Sequence, residues 1–188
     1  MIYQRKEFVL KDGTKVVFKT PEVSDAKQLL DSITAVCDAT DYLLSASEDF
    51  KRYYENLKIE EDFIASYEKN ANILVAAYIN DKIVGSVSLD FKTHQKDRHR
   101  AVIGIAIQKP YWNKGIGSIM FDEMIKIAKE KGLEQIELDV INDNERAKRL
   151  YTKKGFVKVG DIPHQLKLTG TLRRRGKGNR THINHRSP

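Results

Sequence analysis

Residues 72–108 restrict the fold most. They read "NILVAAYI", then Asn80-Asp81, then "KIVGSVSLDF", a charged loop "QKDRHR", and "AVIGIAIQ" at 101–108. Long apolar, β-branched runs on both sides of Asn-Asp form a hairpin signal. The almost wholly apolar 101–108 predicts a central strand covered on both faces, which Pro110 ends. Such a chain must build a sheet with a buried middle.

The flanking segments supply the rest. "EFVLKDGTKVVFKT" carries apolar residues around Asp12-Gly13 and predicts an earlier hairpin. Ser24 is placed as a helix N-cap, with Leu29, Leu30, Ile33, Val36 and Cys37 recurring at helical spacing. Cys37 reads as a core thiol, because no basic neighbour lowers its pKa. Residues 38–71 predict one or two helices without a sharp chemical signature. Ile119, Met120, Met124, Ile127 and Ala128 mark one face of a helix over 117–131, closed by Gly132. "QIELDVI", 135–141, alternates as a strand. "NDNERAKRLYTKKG" predicts a short helix stopped by Gly155, and "FVKVGDI" and "HQLKLTGTL" predict two strands joined through Pro163. The succession is that of a mixed α/β sheet.

Composition narrows the function classes. The longest apolar run, "ILVAAYI", is too short to span a bilayer, and "MIYQRKEF" lacks a signal-peptide pattern. A single cysteine suits a reducing cytosol. The net charge of +7 suggests nucleic acid. However, six of the 33 basic residues lie in 173–188 with no acid, leaving 27 against 26 acidic ones. Nucleic-acid binding by the near-neutral body is therefore not expected. The expected division is one domain over 1–172 and an atypical basic end over 173–188. Three readings fit that end: a basic arm, a non-native segment, or an improvised last strand. Its abrupt change of composition favours the second. His94, His99 and His164 lack metal-ligand spacing, and His182-x-x-His185 lies in the basic end, so no metal is expected.

"PYWNKGIGSIMF", 110–121, places Gly115 and Gly117 at a helix entrance. The first N–H groups of a helix lack intrahelical partners and carry its positive dipole end, so an anion satisfies both. Glycine there lets a phosphate reach the backbone and permits positive φ. Neither the P-loop pattern nor the dinucleotide fingerprint is present. Further along, Asn144, Ala147 and Tyr151 stand at i, i+3 and i+7, with Asn144 and Tyr151 about 10 Å apart along a helix. That face suits a long thin polar ligand with a proton donor at its far end.

Together, residues 103–160 resemble the GNAT superfamily of acyl-CoA-dependent N-acyltransferases. Gly115, Gly117, Asn144, Ala147, Leu150, Tyr151, Gly155 and Phe156 match its motifs in order and spacing. Trp112 departs from the usual Gln or Arg. The resemblance implies a GNAT-type mixed, mostly antiparallel sheet flanked by helices, splayed between strands at about 101–108 and 135–141. It implies acetyl-CoA as co-substrate, held by Asn113, Lys114, Gly115, Ile116, Gly117 and Ser118. The pantetheine arm would pair with the free edge near Ile105 and Ile107, with Asn144 and Ala147 beside it. Tyr151 would protonate the leaving thiolate, and a backbone N–H near Ile107 would serve the oxyanion. The acceptor would be a small-molecule or peptide amine. A non-catalytic acyl-CoA-binding domain of the same fold is the alternative. No general base stands out: Glu137, Asp139, Glu48 and Asp49 read as solvated acids. Residues 38–71 and 92–100 are expected to shape the acceptor site, through Tyr42, Tyr53 and Tyr54 and through His94, Arg98 and His99. The family's usual final strand is absent from the sequence pattern, which suggests an open sheet edge and a possible homodimer across it.

Overall fold

The computed structural model describes residues 1–69, 71–166 and 178–186. The first hairpin joins β1 (Lys6–Val9) to β2 (Lys15–Lys19) through a five-residue loop in which Gly13 has φ +81°. Helix α1 (Ala26–Ala39) follows a 3₁₀ turn, Val23–Asp25. Ser24 therefore is not its N-cap. The Asp25 carboxylate turns back to accept the Glu22 N–H at 3.0 Å, which fixes the entry instead. Leu29, Leu30 and Val36 bury the helical stripe, and burial pushes the Cys37 thiol up to about 11. Cys37 itself is half-buried and lies outside both clusters of core residues, so desolvation holds the thiol neutral at the edge of the core rather than within it. The next segment supplies α2 (Lys51–Glu55) and α3 (Lys58–Lys69).

Strands β3 (Ile73–Ile79) and β4 (Lys82–Phe91) form the second hairpin, with Asn80 and Asp81 at φ 49° and 60°. Two consecutive positive φ values match the hairpin twist, which is why short polar residues stand there. β5 (Arg100–Ile107), α4 (Ile116–Glu130), β6 (Gln135–Ile141) and α5 (Glu145–Lys153) follow in order. Two strands complete the sheet, β7 (Val157–Leu166) and β8 (Gly178–Arg186). The sheet has eight strands in the order β1-β2-β3-β4-β5-β6-β8-β7, and β5–β6 is its one parallel pairing among the described residues. The expected mixed, mostly antiparallel sheet flanked by helices is what forms. Phe18, Val75, Leu89, Ile103, Met120, Phe121 and Met124 lie in one core against α4. Leu29, Ile64 and Tyr78 lie in a second, on the face of α1 and α3.

Three sequence expectations change. β5 is covered only over its first half. From Gly104 onward it is partly exposed, because β6 diverges from it. β7 continues through Pro163, where its pairing with β8 shifts register between Ile162 and Leu166. As the outer strand it needs no ladder N–H on its free side, so proline is tolerated there. The second half of the expected strand 164–172 lies outside the described residues after Leu166. Finally, residues 178–186 of the basic end form β8, inserted between β6 and β7. The place at which an open edge was expected is filled by this strand.

Candidate active site

Parallel pairing between β5 and β6 runs only from Arg100↔Gln135 to Val102↔Glu137. Beyond it the strands separate, and a cavity of about 850 Å³ occupies the opening. The Gln108 N–H bonds Val84 O on β4. Successive backbone amides alternate in direction, so the odd-numbered residues of β5 turn theirs toward the gap. Ile105 and Ile107 line it as expected.

The α4 entrance forms one end. Asn113 has φ 60° and Gly115, the N-cap, has φ 96°. No side chain caps the helix, and the first bond back to Gly115 O comes from Ile119 at 3.1 Å. The N–H groups of Ile116, Gly117 and Ser118 are therefore left for an outside acceptor. These residues, with Asn113 and Gly115, line the cavity. Two details of the sequence reading change. Gly117 is helical and needs no positive φ. A Cβ there would stand 3.2 Å from Ile107 Cδ1 and 3.3 Å from Leu150 Cδ2, so glycine keeps the cavity neck open. Lys114 turns away from the cavity to pair with Asp12 on the first hairpin at 3.1 Å. Hydrogen bonds from Thr14, with help from Lys114, hold the Asp12 carboxyl down at about 2.

Helix α5 forms the opposite wall. Asn144 is its N-cap rather than a face residue, and its Oδ1 accepts the Ala147 N–H at 3.1 Å. Its side-chain NH₂ is what remains for a ligand. Tyr151 is 8% exposed, packed 5.1 Å from the Phe121 ring and 6.2 Å from Phe156. Burial pushes its phenol up to about 12, against the pull of the Arg146 guanidinium. Arg146 itself stacks 3.5 Å over the Trp112 ring, and the Trp112 indole donates to Ile107 O at 2.6 Å. Residue 112 thus makes a polar contact to the backbone of β5. The sequence reading overlooked Arg146. Its place two residues after Asn144, in the first turn of α5, was the available signal.

The polar wall departs furthest from expectation. Glu137 is 4% exposed, and Arg100 Nη2 donates to both its carboxylate oxygens, at 2.8 and 2.6 Å. Asp139 receives Arg180 at 3.0 Å and His182 Nδ1 at 2.8 Å. Neither acid is a solvated one, and β8 supplies both partners of Asp139. Glu48 and Asp49 are exposed, as read. Of the expected acceptor-site residues only Tyr42 lines the cavity, beside Thr40, Leu43 and Leu44. Tyr53, Tyr54, His94, Arg98 and His99 do not. Among the described residues, no group of three or more His, Cys, Asp or Glu is placed to hold a metal, and no helix is long and apolar enough to cross a membrane.

A sequence profile of the Acetyltransferase (GNAT) family matches residues 41–156. The chain belongs to the GNAT acetyltransferase family. Similar proteins include the L-amino acid N-acetyltransferase AaaT of Escherichia coli, 31% identical over 83 residues, 44% of this chain and 51% of that protein. The N-alpha-acetyltransferase 30 of Schizosaccharomyces pombe is 30% identical over 93 residues, 49% of this chain and 61% of that one. The match thus spans only about half the length of these relatives. Among solved structures, a GNAT-family acetyltransferase from Streptococcus pneumoniae superposes with a TM-score of 0.81 at 25% identity, over 92% of this chain and 99% of that one. The yncA protein of Salmonella typhimurium, solved with its cofactor acetyl-CoA, shares the fold at a TM-score of 0.73 and 14% identity, covering 91% and 93%.

Proposed function

We propose that the protein transfers the acetyl group of acetyl-CoA to a primary amine by direct attack in a ternary complex. One observation carries this reading. A single cavity joins an uncapped helix N-terminus to a buried tyrosine, along the strand edge from which β6 diverges. A diphosphate fits the first feature, because the free N–H groups of Ile116, Gly117 and Ser118 need acceptors and the helix dipole favours an anion. A chain of amides fits the strand edge, pairing at Ile105 as an added strand, while the Ile107 carbonyl is taken by the Trp112 indole. Asn144 and Ala147 flank that arm from α5.

Acetyl-CoA, when bound, supplies an activated acetyl thioester. The chain's own residues do the rest. The N–H of Ile107, directed into the gap, stabilises charge that develops on the carbonyl oxygen. Tyr151 stays protonated across the working range and gives its proton to the departing thiolate. Trp112 and Arg146 close the mouth of the cavity over the arm, and Arg146 adds the charge toward phosphate that Lys114 was expected to give. The reading places the protein in the cytosol, consistent with its single cysteine.

Thiol release tests it. The full chain is incubated with acetyl-CoA and, separately, L-methionine, spermidine and an unblocked tetrapeptide. Release of CoA thiol that depends on one of these amines is expected. Tight acetyl-CoA binding with no amine-dependent release would favour the non-catalytic acyl-CoA-binding alternative.

A further inference from the structure

The reaction proposed above leaves one proton without a destination. Amines titrate at about 8 to 10, so the acceptor arrives as an ammonium and must lose a proton before its nitrogen can attack. His182 is the imidazole that lines the cavity among the described residues. It projects from β8 opposite Asp139 on β6, on the face that also carries Glu137 and Arg100. A carboxylate can only accept, so the 2.8 Å contact to Asp139 places the imidazole hydrogen on Nδ1 and leaves a lone pair on Nε2. Nε2 stands 3.5 Å from Glu137 Oε2, too far to be saturated by it. The flanking cations are engaged: Arg180 holds Asp139 at 3.0 Å, Arg100 holds Glu137 at 2.6 Å, and Lys92, just past the end of β4, stands 4.0 Å from Glu137. From β7, the residue opposite His182 is the uncharged Gly160, and Asp161 is turned to Lys158 and Thr181.

Resting on the acetyl-transfer reading, we propose that His182 is the proton acceptor for the amine, with Asp139 as its positioning residue. Nε2 takes one proton from the ammonium. The freed lone pair forms the C–N bond to the thioester carbonyl carbon, the C–S bond breaks, and the thiolate takes the Tyr151 proton. The nitrogen's second surplus proton leaves as the amide forms and reprotonates Tyr151, and His182 releases its proton to solvent. Ammonium and acetyl thioester thus give amide, thiol and one proton.

The test is the pH profile of kcat/KM for wild type, His182→Gln and Asp139→Asn. It uses whichever of L-methionine, spermidine or the unblocked tetrapeptide the wild type acetylates, with acetyl-CoA saturating. His182→Gln is expected to lose about 10²-fold at pH 7. That deficit should shrink to about tenfold or less near pH 10, where solution supplies free amine. Asp139→Asn should show the same recovery from a smaller loss, because it keeps an acceptor but no longer fixes the tautomer. Acetyl-CoA affinity should match wild type, and each variant should keep one sharp thermal transition. A His182→Gln enzyme as fast as wild type at pH 7, or a deficit constant across pH in both variants, overturns the assignment while leaving acetyl transfer intact. A wild type inactive on all three amines overturns both.

Discussion

A chain cut after Leu166 is expected to lose its cooperative thermal transition. The cut removes β8, which pairs with β6 from Gln135↔Arg186 to Ile141↔Arg180 and with β7 on its other side. β7 would then have no neighbour, and β6 would keep only its three-residue parallel pairing to β5. Ile183, 6% exposed in the core that holds Leu138, Tyr151 and Phe156, would leave with it. Buried backbone groups without partners cost about 1–3 kcal/mol each. Several of them together exceed the roughly 5–15 kcal/mol by which a domain is stable. The milder Ile183→Ala is expected to cost about 2–4 kcal/mol and to lower the melting temperature while leaving the transition sharp. Circular dichroism melts of the three chains check this. A truncated chain that melts like the full one would show that β8 is not part of the folded sheet.

Tyr151→Phe should reduce kcat by about 10²-fold or more while leaving acetyl-CoA affinity and the melting temperature nearly unchanged. The ring keeps its packing on Phe121 and Phe156, and only the hydroxyl is lost. The pH dependence follows from burial, which favours the neutral phenol and pushes its pKa up to about 12. The donor form is present below that value and is lost only as pH rises through it. The wild-type kcat should therefore show no fall between pH 8 and 10 that Tyr151→Phe removes. Such a fall, or a phenylalanine variant with full kcat, would contradict a proton-donor role.

Much of this was legible in the residues because local and global signals agree. Asn80-Asp81 between apolar runs gave the β3–β4 turn. The stripe from Ile119 to Ala128 gave α4, and the Gly115 spacing gave its unusual entrance. β8 was not legible. "GNRTHINHR" contains one aliphatic residue, yet it is an inner strand. Its alternation is hidden because polar side chains do the work of apolar ones. Thr181, 4% exposed, bonds Asp161 and Asn142, and Arg180 and His182 are satisfied by Asp139. Those partners are distant in sequence, so no local pattern announces them. For the same reason Glu137 and Asp139 read as solvent-facing acids: on β6 alone they occupy the polar half of an alternating strand. Their partners come from Arg100 on β5 and from the strand that looked foreign. Gly117 was not needed for a positive φ, and the space it leaves between Ile107 and Leu150 depends on how α4, α5 and β5 converge.

The most direct measurement is calorimetric titration of acetyl-CoA into the full chain and into Gly117→Glu. Micromolar binding by the wild type, lost in the variant while its melting temperature stays within a few degrees, is the predicted result. A wild type that melts cooperatively and binds no acetyl-CoA would contradict the assignment of the gap between β5 and β6 to that co-substrate.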